Sequence, residues 1–246
     1  MKFVEYGIDN EDVIILLHGG GLNVWNYEES AEILKDRFHV ILPVLDGHAG
    51  SDDDFTGIGD NAKRITDYID KNHSGKVLLI GGVSLGGQIA LEILSLRPDI
   101  CRYAIIESAL VIPMNLTNLL VKPMLDMSYF LIKQKWFAKL QSGYLKIKKE
   151  LFDKYFRDTA LISKQNMISF LKANSSYSLN DNIINTSAKV YIVAGGKEQK
   201  KILRSAELLK DTINGSRLVI KDKLYHGEYS LNHPEEFAEN ILEMTK

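Results

Sequence analysis

The stretch Val77-Leu78-Leu79-Ile80-Gly81-Gly82-Val83-Ser84-Leu85-Gly86-Gly87 runs from an aliphatic segment through glycines into a segment with helical spacing. Val77 to Ile80 has the composition of a strand buried on both faces. Leu85 to Leu96 reads as a helix that Arg97-Pro98 closes, because the residue before a proline is pushed out of the helical region. Ser84 falls on the turn between them, inside the pattern G-x-S-x-G. The glycines leave space for a sharp change of direction in which the serine takes strained backbone angles and its hydroxyl stands at a helix N-terminus. A glycine-rich turn can carry this pattern without any chemistry. Its position between a buried strand and a helix is what makes Ser84 a candidate nucleophile.

Moving outward, Val13-Ile14-Ile15-Leu16-Leu17, Val40-Ile41-Leu42, Tyr103-Ala104-Ile105-Ile106, Val190-Tyr191-Ile192-Val193 and Leu218-Val219-Ile220 are further short runs of β-branched and aliphatic residues. They too read as strands buried on both faces. Helical spacing lies between the early runs, over Tyr27 to Asp36 and Gly59 to Asn72, the latter with Ile58, Ala62, Ile65 and Ile69 on one stripe. Alternation of strand and helix predicts an α/β fold, a three-layer α/β/α sandwich with a mostly parallel sheet and right-handed crossovers. From about Leu110 to Asn185 the alternation stops and the chain becomes helix-prone and rich in aromatics, among them Tyr129, Phe130, Trp136, Phe137, Tyr144 and Phe170. The alternation then resumes, with helices expected over Lys200 to Leu209 and Pro234 to Met244. The expected organisation is a core of residues 1–109 and 186–246 carrying a helical cap or lid insertion, residues 110–185, whose apolar side chains form a roof.

With 246 residues, 45% of them hydrophobic, the chain is long enough for one domain with a large core. Its 30 basic and 32 acidic residues are spread along the chain, and no basic stripe suited to nucleic acid emerges. A single cysteine, Cys101, excludes an internal disulfide and a thiolate metal site and fits a reducing compartment. The first residues lack the charged start and apolar run of an export signal, so the expected location is the cytoplasm. The most apolar long segment, Ala109 to Ile132, is interrupted by Pro113, Asn115, Lys122 and Asp126, and no membrane span is expected. Asp52-Asp53-Asp54 lacks calcium-loop spacing and reads as a solvated loop. No metal or cofactor is expected.

His18-Gly19-Gly20-Gly21 follows the first strong strand, where a glycine turn can present main-chain N–H groups to an oxyanion. The N–H of Gly20 (or Gly21) together with that of Leu85, the residue after Ser84, would complete a two-donor hole. His18 itself reads as a hydrogen-bonder that steadies the turn. These signals, with Pro43 to Ser51 after the next strand and a late His226 followed by Pro234 and Phe237, make the chain resemble the α/β-hydrolase fold superfamily, in its small cap-bearing esterase form. The resemblance covers nearly all of the chain outside the insertion. It implies a triad in the order serine, acid, histidine. The acid position falls on Glu198, three residues after Gly195, with Glu107 at the end of the strand Tyr103 to Ile106 as the runner-up. The general base falls on His226, in a loop between the last strand and the last helix. His39, His73 and His233 receive no role. In Pro43-Val44-Leu45-Asp46-Gly47-His48-Ala49-Gly50-Ser51 the acid is displaced by two positions to Asp46 and Ala49 replaces a glycine of the family pattern; this turn is expected to shape the rim of the pocket.

The implied function is hydrolysis of a small, partly apolar carboxylic ester through an acyl-enzyme on Ser84. A C–C hydrolase, thioesterase or amidase using the same triad is an alternative, and so is a ligand-sensing protein of low turnover on the same fold, since a fold hosts many chemistries.

Overall fold

The computed structural model describes all 246 residues. Seven strands form one sheet in the order β1-β3-β2-β4-β5-β6-β7. They are β1 (Lys2–Tyr6), β2 (Val13–Leu17), β3 (His39–Val44), β4 (Val77–Val83), β5 (Cys101–Glu107), β6 (Lys189–Gly195) and β7 (Arg217–Lys221). All neighbours pair in parallel except β1, which runs antiparallel to β3 at the edge. The α/β sandwich with a mostly parallel sheet is therefore the observed fold.

The sheet separates two packed layers because successive side chains of a strand point to opposite faces. Ile15 and Leu17 of β2 join one core with Ile80, Ala104 and Ile192. On that face pack α2 (Ile58–Asn72), α3 (Leu85–Leu96) and α8 (Lys200–Thr212). Ile14 and Leu16 face the other way, into a second core with Leu79, Ile105 and residues of α1 (Glu28–Leu34) and α10 (Pro234–Met244). Each of these aliphatic side chains is fully or almost fully removed from water, which for the leucines and isoleucines stabilises the fold by about 1.5–3 kcal/mol apiece before the entropy of ordering is counted.

Between β5 and β6 lie four helices, α4 (Asn115–Ile132), α5 (Lys135–Tyr144), α6 (Phe152–Leu161) and α7 (Lys164–Ser176). A five-residue helix, α9 (Glu228–Asn232), precedes α10. Two strands depart from the sequence expectation. β1 has only five residues and no aliphatic run, and β7 is half-exposed rather than buried on both faces. Both occupy sheet edges, where one side of the backbone has no strand neighbour and the aliphatic signature weakens.

Register sets up the site. Leu17 lies opposite Gly82, Val83 opposite Glu107, and Glu107 opposite Val193. The carboxyl ends of β2, β4, β5 and β6 are thus level, and the residues that follow them, His18, Ser84, Ser108 and the loop after Gly195, emerge along one edge. In parallel sheets this edge is where ligands bind.

Candidate active site

Ser84 occupies the turn from β4 into α3 with φ 53° and ψ −114°, a backbone state that a residue with a Cβ adopts only under constraint. The flanking glycines make room for it. A Cβ on Gly82 would lie 2.3 Å from the carbonyl oxygen of Gly86, and one on Gly86 would lie 2.1 Å from that of Leu17. The start of α3 is thereby pressed against the end of β2.

His226 reaches over from the loop after β7. Its Nε2 is 3.0 Å from Ser84 Oγ, and its Nδ1 is 2.7 Å from Glu198 Oε2. A carboxylate accepts only, so Nδ1 carries the proton and Nε2 is left to accept from the Ser84 hydroxyl. Glu198, whose side chain is wholly buried, is fixed through its other oxygen, which accepts from Ser108 Oγ at 2.7 Å and from the N–H of Gly195 at 2.8 Å. Ser108 Oγ in turn accepts from the N–H of Gly227 at 3.2 Å. One hydroxyl therefore ties the acid to the residue that follows the histidine. Glycine is again required sterically: a Cβ on Gly195 would lie 2.4 Å from the carbonyl oxygen of Leu224. Only a bare backbone lets the His226 loop approach the Glu198 loop this closely.

Glu107 is near but differently employed. Its carboxylate is buried beneath α9 and accepts from the N–H of Tyr229 at 3.1 Å and of Ser230 at 3.2 Å. These are donors of the first turn of α9, which an isolated helix leaves unpaired. Burial pushes the Glu107 carboxyl up to about 7; the hydrogen bonds from Ser230 oppose the shift and the neighbouring Glu198 charge adds to it.

The glycine turn after β2 is braced by two neutral histidines. His18 Nδ1 donates to the carbonyl of Gly19 at 2.9 Å while its Nε2 accepts from the N–H of Leu45 at 3.1 Å. His48 Nδ1 donates to the carbonyl of Asp46 at 3.1 Å and its Nε2 accepts from the N–H of Gly21 at 3.0 Å. Burial lowers both imidazoles, His18 to about 3 with His48 adding to the effect, and His48 to about 4. The N–H of Gly21 is consequently engaged, which leaves Gly20, whose N–H makes no hydrogen bond within the chain, as the turn's available donor. Gly20 lies close to the elbow: a Cβ there would be 3.5 Å from Leu85 Cδ2. Leu85, at the first position of α3, also has an N–H without an intrahelical acceptor.

The model of the alpha/beta hydrolase family matches residues 14–240, a span that includes the glycine turn, Ser84, Glu198 and His226. The chain belongs to the alpha/beta hydrolase family. An esterase from Exiguobacterium antarcticum superposes with a TM-score of 0.81 at 21% identity, covering 99% of this chain and 94% of the other. A thermophilic esterase from Thermogutta terrifontis, with malate bound, gives a TM-score of 0.80 at 16% identity over 99% and 92% of the two chains. The enol-lactonase from Burkholderia xenovorans LB400 gives 0.81 at 13% identity over 100% and 96%. No curated protein sequence matches the chain.

In this alpha/beta hydrolase Ser84, Glu198 and His226 line a cavity of about 470 Å³. Its walls include Leu110 and Met114 from the segment between β5 and α4, Thr117 in the first turn of α4, Tyr144 and Leu145 at the end of α5, and Ile202 of α8. Polar groups enter from Asn174, Gln199, Lys146 and Lys197. The expected apolar roof is therefore a mixed wall. Of the aromatics of the insertion only Tyr144 contributes to the lining; Phe170 instead stacks on His48, ring centroids 4.9 Å apart, behind the glycine turn. The Pro43 to Ser51 turn does not line the cavity either. Its role is support, through His48, and Asp46 is buried in an ion pair with Arg64 at 3.2 Å. Asp52, Asp53 and Asp54 point to separate partners, Lys2, the Met1 amino group with Arg64, and Asn166.

Buried and half-buried polar ties hold the helices between β5 and β6 to the rest of the chain. Asp158 of α6 accepts from Trp25 Nε1 at 3.0 Å and Asn23 Nδ2 at 3.1 Å, and Asn174 of α7 exchanges hydrogen bonds with Gln88 of α3. Ser108 and His48 are the participants that sequence reasoning missed. Ser108 directly follows a strand whose end was already in view. Nothing local marks either one, because their partners are 90 and 27 residues away.

Proposed function

We propose that the protein is a serine hydrolase that cleaves carboxylic esters by way of an acyl-enzyme. The observation that carries this reading is the continuous hydrogen-bonded line Ser84–His226–Glu198 at the wall of a cavity. His226 Nε2 takes the proton of Ser84 as Oγ attacks the ester carbonyl, and Glu198 holds the imidazole in the required tautomer and offsets its positive charge. The N–H groups of Gly20 and Leu85 receive the oxyanion. His226 then protonates the departing alcohol and activates the water that releases the acid, which returns Ser84 to its starting state. Residues 110–185 act as the cap over the core formed by residues 1–109 and 186–246. The substrate is a small ester with one apolar portion, against Leu110, Met114 and Ile202, and one polar portion, against Asn174 and Gln199.

Hydrolysis of short p-nitrophenyl esters tests the reading. The wild-type protein is expected to turn them over and to be labelled by a fluorophosphonate probe, and Ser84→Ala is expected to lose both by a factor on the order of 10³ or more. Equal rates for the two proteins would remove Ser84 from the chemistry. A wild-type protein that is not labelled would be a binding protein on a hydrolase fold.

A further inference from the structure

The helices over the site carry an apolar face that covers nothing. Along α4 the buried side chains Val121, Leu125 and Ile132 form the inner stripe, whereas Leu116, Leu119, Leu120, Met127 and Phe130 lie on the opposite side and are exposed. Met127 is 80% and Leu119 71% exposed. α5 repeats the pattern. Trp136, Leu140 and Tyr144, spaced four residues apart on one stripe, are all more than 60% exposed, and Lys135 and Lys139 form the adjacent stripe. A helix turning large apolar side chains outward beside a row of lysines has the make-up of a segment that lies in a lipid interface. Exposed apolar surface of this extent marks an interaction site in a soluble fold.

Charge selects the occupant. Residues 110–185 contain eleven Lys and Arg against five Asp and Glu, a net +6; the rest of the chain has nineteen against twenty-seven, a net −8, and together they give the −2 of the whole. Three of the insertion's five acids are already engaged: Asp126 pairs with Lys122 and Lys164, Asp153 with Lys135, and Asp158 with Arg157. Lys133, Lys139 and Lys149 are exposed and form no ion pair. Two copies meeting through this face would bring like charge against like charge, whereas an anionic bilayer attracts each nearby lysine by about 1 kcal/mol. No helix is long and apolar enough to cross a membrane, so the contact is peripheral. The apolar face also reaches the catalytic cavity, since Tyr144 at the end of α5 and Met114 just before α4 both line it.

We propose that the outer face of α4 and α5 docks on an anionic lipid bilayer, with Trp136 in the interface and the lysines at the headgroups. This does not depend on the chemistry at Ser84, and Ser84→Ala should dock as the wild type does. The chain has two tryptophans, and Trp25 is 3% exposed whereas Trp136 is 63% exposed, so a change in indole fluorescence on docking reports Trp136. Titration with vesicles of phosphatidylglycerol and phosphatidylcholine in equal parts is expected to shift the emission to the blue and to carry the protein to the top of a flotation gradient. Pure phosphatidylcholine should bind at least tenfold more weakly. Lys135→Glu with Lys139→Glu is expected to weaken binding to the anionic vesicles by roughly tenfold or more, with hydrolysis of a soluble ester unchanged. No shift with anionic vesicles, equal binding to both compositions, or a dimer in sedimentation that buries Trp136 without lipid would overturn the proposal.

Discussion

Two buried glutamates stand at the carboxyl edge of neighbouring strands, Glu107 closing β5 and Glu198 three residues beyond β6. Their surroundings separate them. Glu198 presents one oxygen to His226 Nδ1 and satisfies the other with Ser108 and Gly195, so its charge is matched by three donors. Glu107 faces backbone N–H groups at the start of α9 and has no hydrogen bond to the imidazole. The first contacts the His226 imidazole, the second the start of the short helix that follows His226. Position at a strand end thus does not distinguish the two carboxylates; what separates them is which polar hydrogen lies within about 3 Å.

The largest expected effect is that of Glu198→Gln. A carboxamide keeps the size but loses the charge and can favour the wrong imidazole tautomer, so turnover of a p-nitrophenyl ester should fall by about 10³–10⁴ with the melting temperature little changed. A near-wild-type rate, coupled with an inactive Glu107→Gln, would invert the comparison. Next comes Glu107→Ala, which strips the acceptor from Tyr229 and Ser230 and leaves a cavity. Urea denaturation should register a loss of about 2–4 kcal/mol, and an unchanged midpoint would mean that α9 does not depend on this carboxyl. Ser108→Ala is intermediate. It removes one donor to Glu198 and one acceptor for Gly227, and turnover should drop by roughly tenfold with KM held, as one hydrogen bond to a charged group is worth about 1.5–3 kcal/mol.

The gentlest test is Glu107→Gln against pH. With its carboxyl raised from 4.5 to about 7 in the folded protein, Glu107 stays protonated in the native state over a range where the unfolded chain has released that proton. The native state binds more protons there, so stability falls as pH rises from 4.5 to about 7. The amide cannot ionise and still accepts from both N–H groups. Glu107→Gln is therefore expected to flatten that part of the stability profile while leaving turnover near the wild-type level; an unaltered slope would assign it to another group.

How far the sequence carried the reading differs from element to element. β4 and α3 were legible to the residue in α3 because an aliphatic run, paired glycines and the closing Arg97-Pro98 all act locally. The edge strand β1 was not, because its pairing with β3 is a contact across some forty residues that leaves no aliphatic period in so short and half-exposed a segment. The helix-prone character of the segment between β5 and β6 is legible in the sequence, whereas the direction in which its aromatics point is not. Helical spacing in α4 supports two opposite apolar stripes, and periodicity alone does not say which of them meets the core.

The amino-acid sequence by itself determined that Ser84 sits on a glycine-flanked turn between a strand and a helix and that His226 lies in a late loop, because both follow from local composition and chain order; Glu198 and Glu107 came into view only through the resemblance to the hydrolase family. Only the tertiary structure brought Glu198 rather than Glu107 against His226 Nδ1, engaged the Gly21 N–H with His48, and turned the apolar side chains of α4 and α5 outward. Those outcomes rest on strand register and on side chains that meet across long stretches of chain, where a shift of one residue would exchange one set of partners for another.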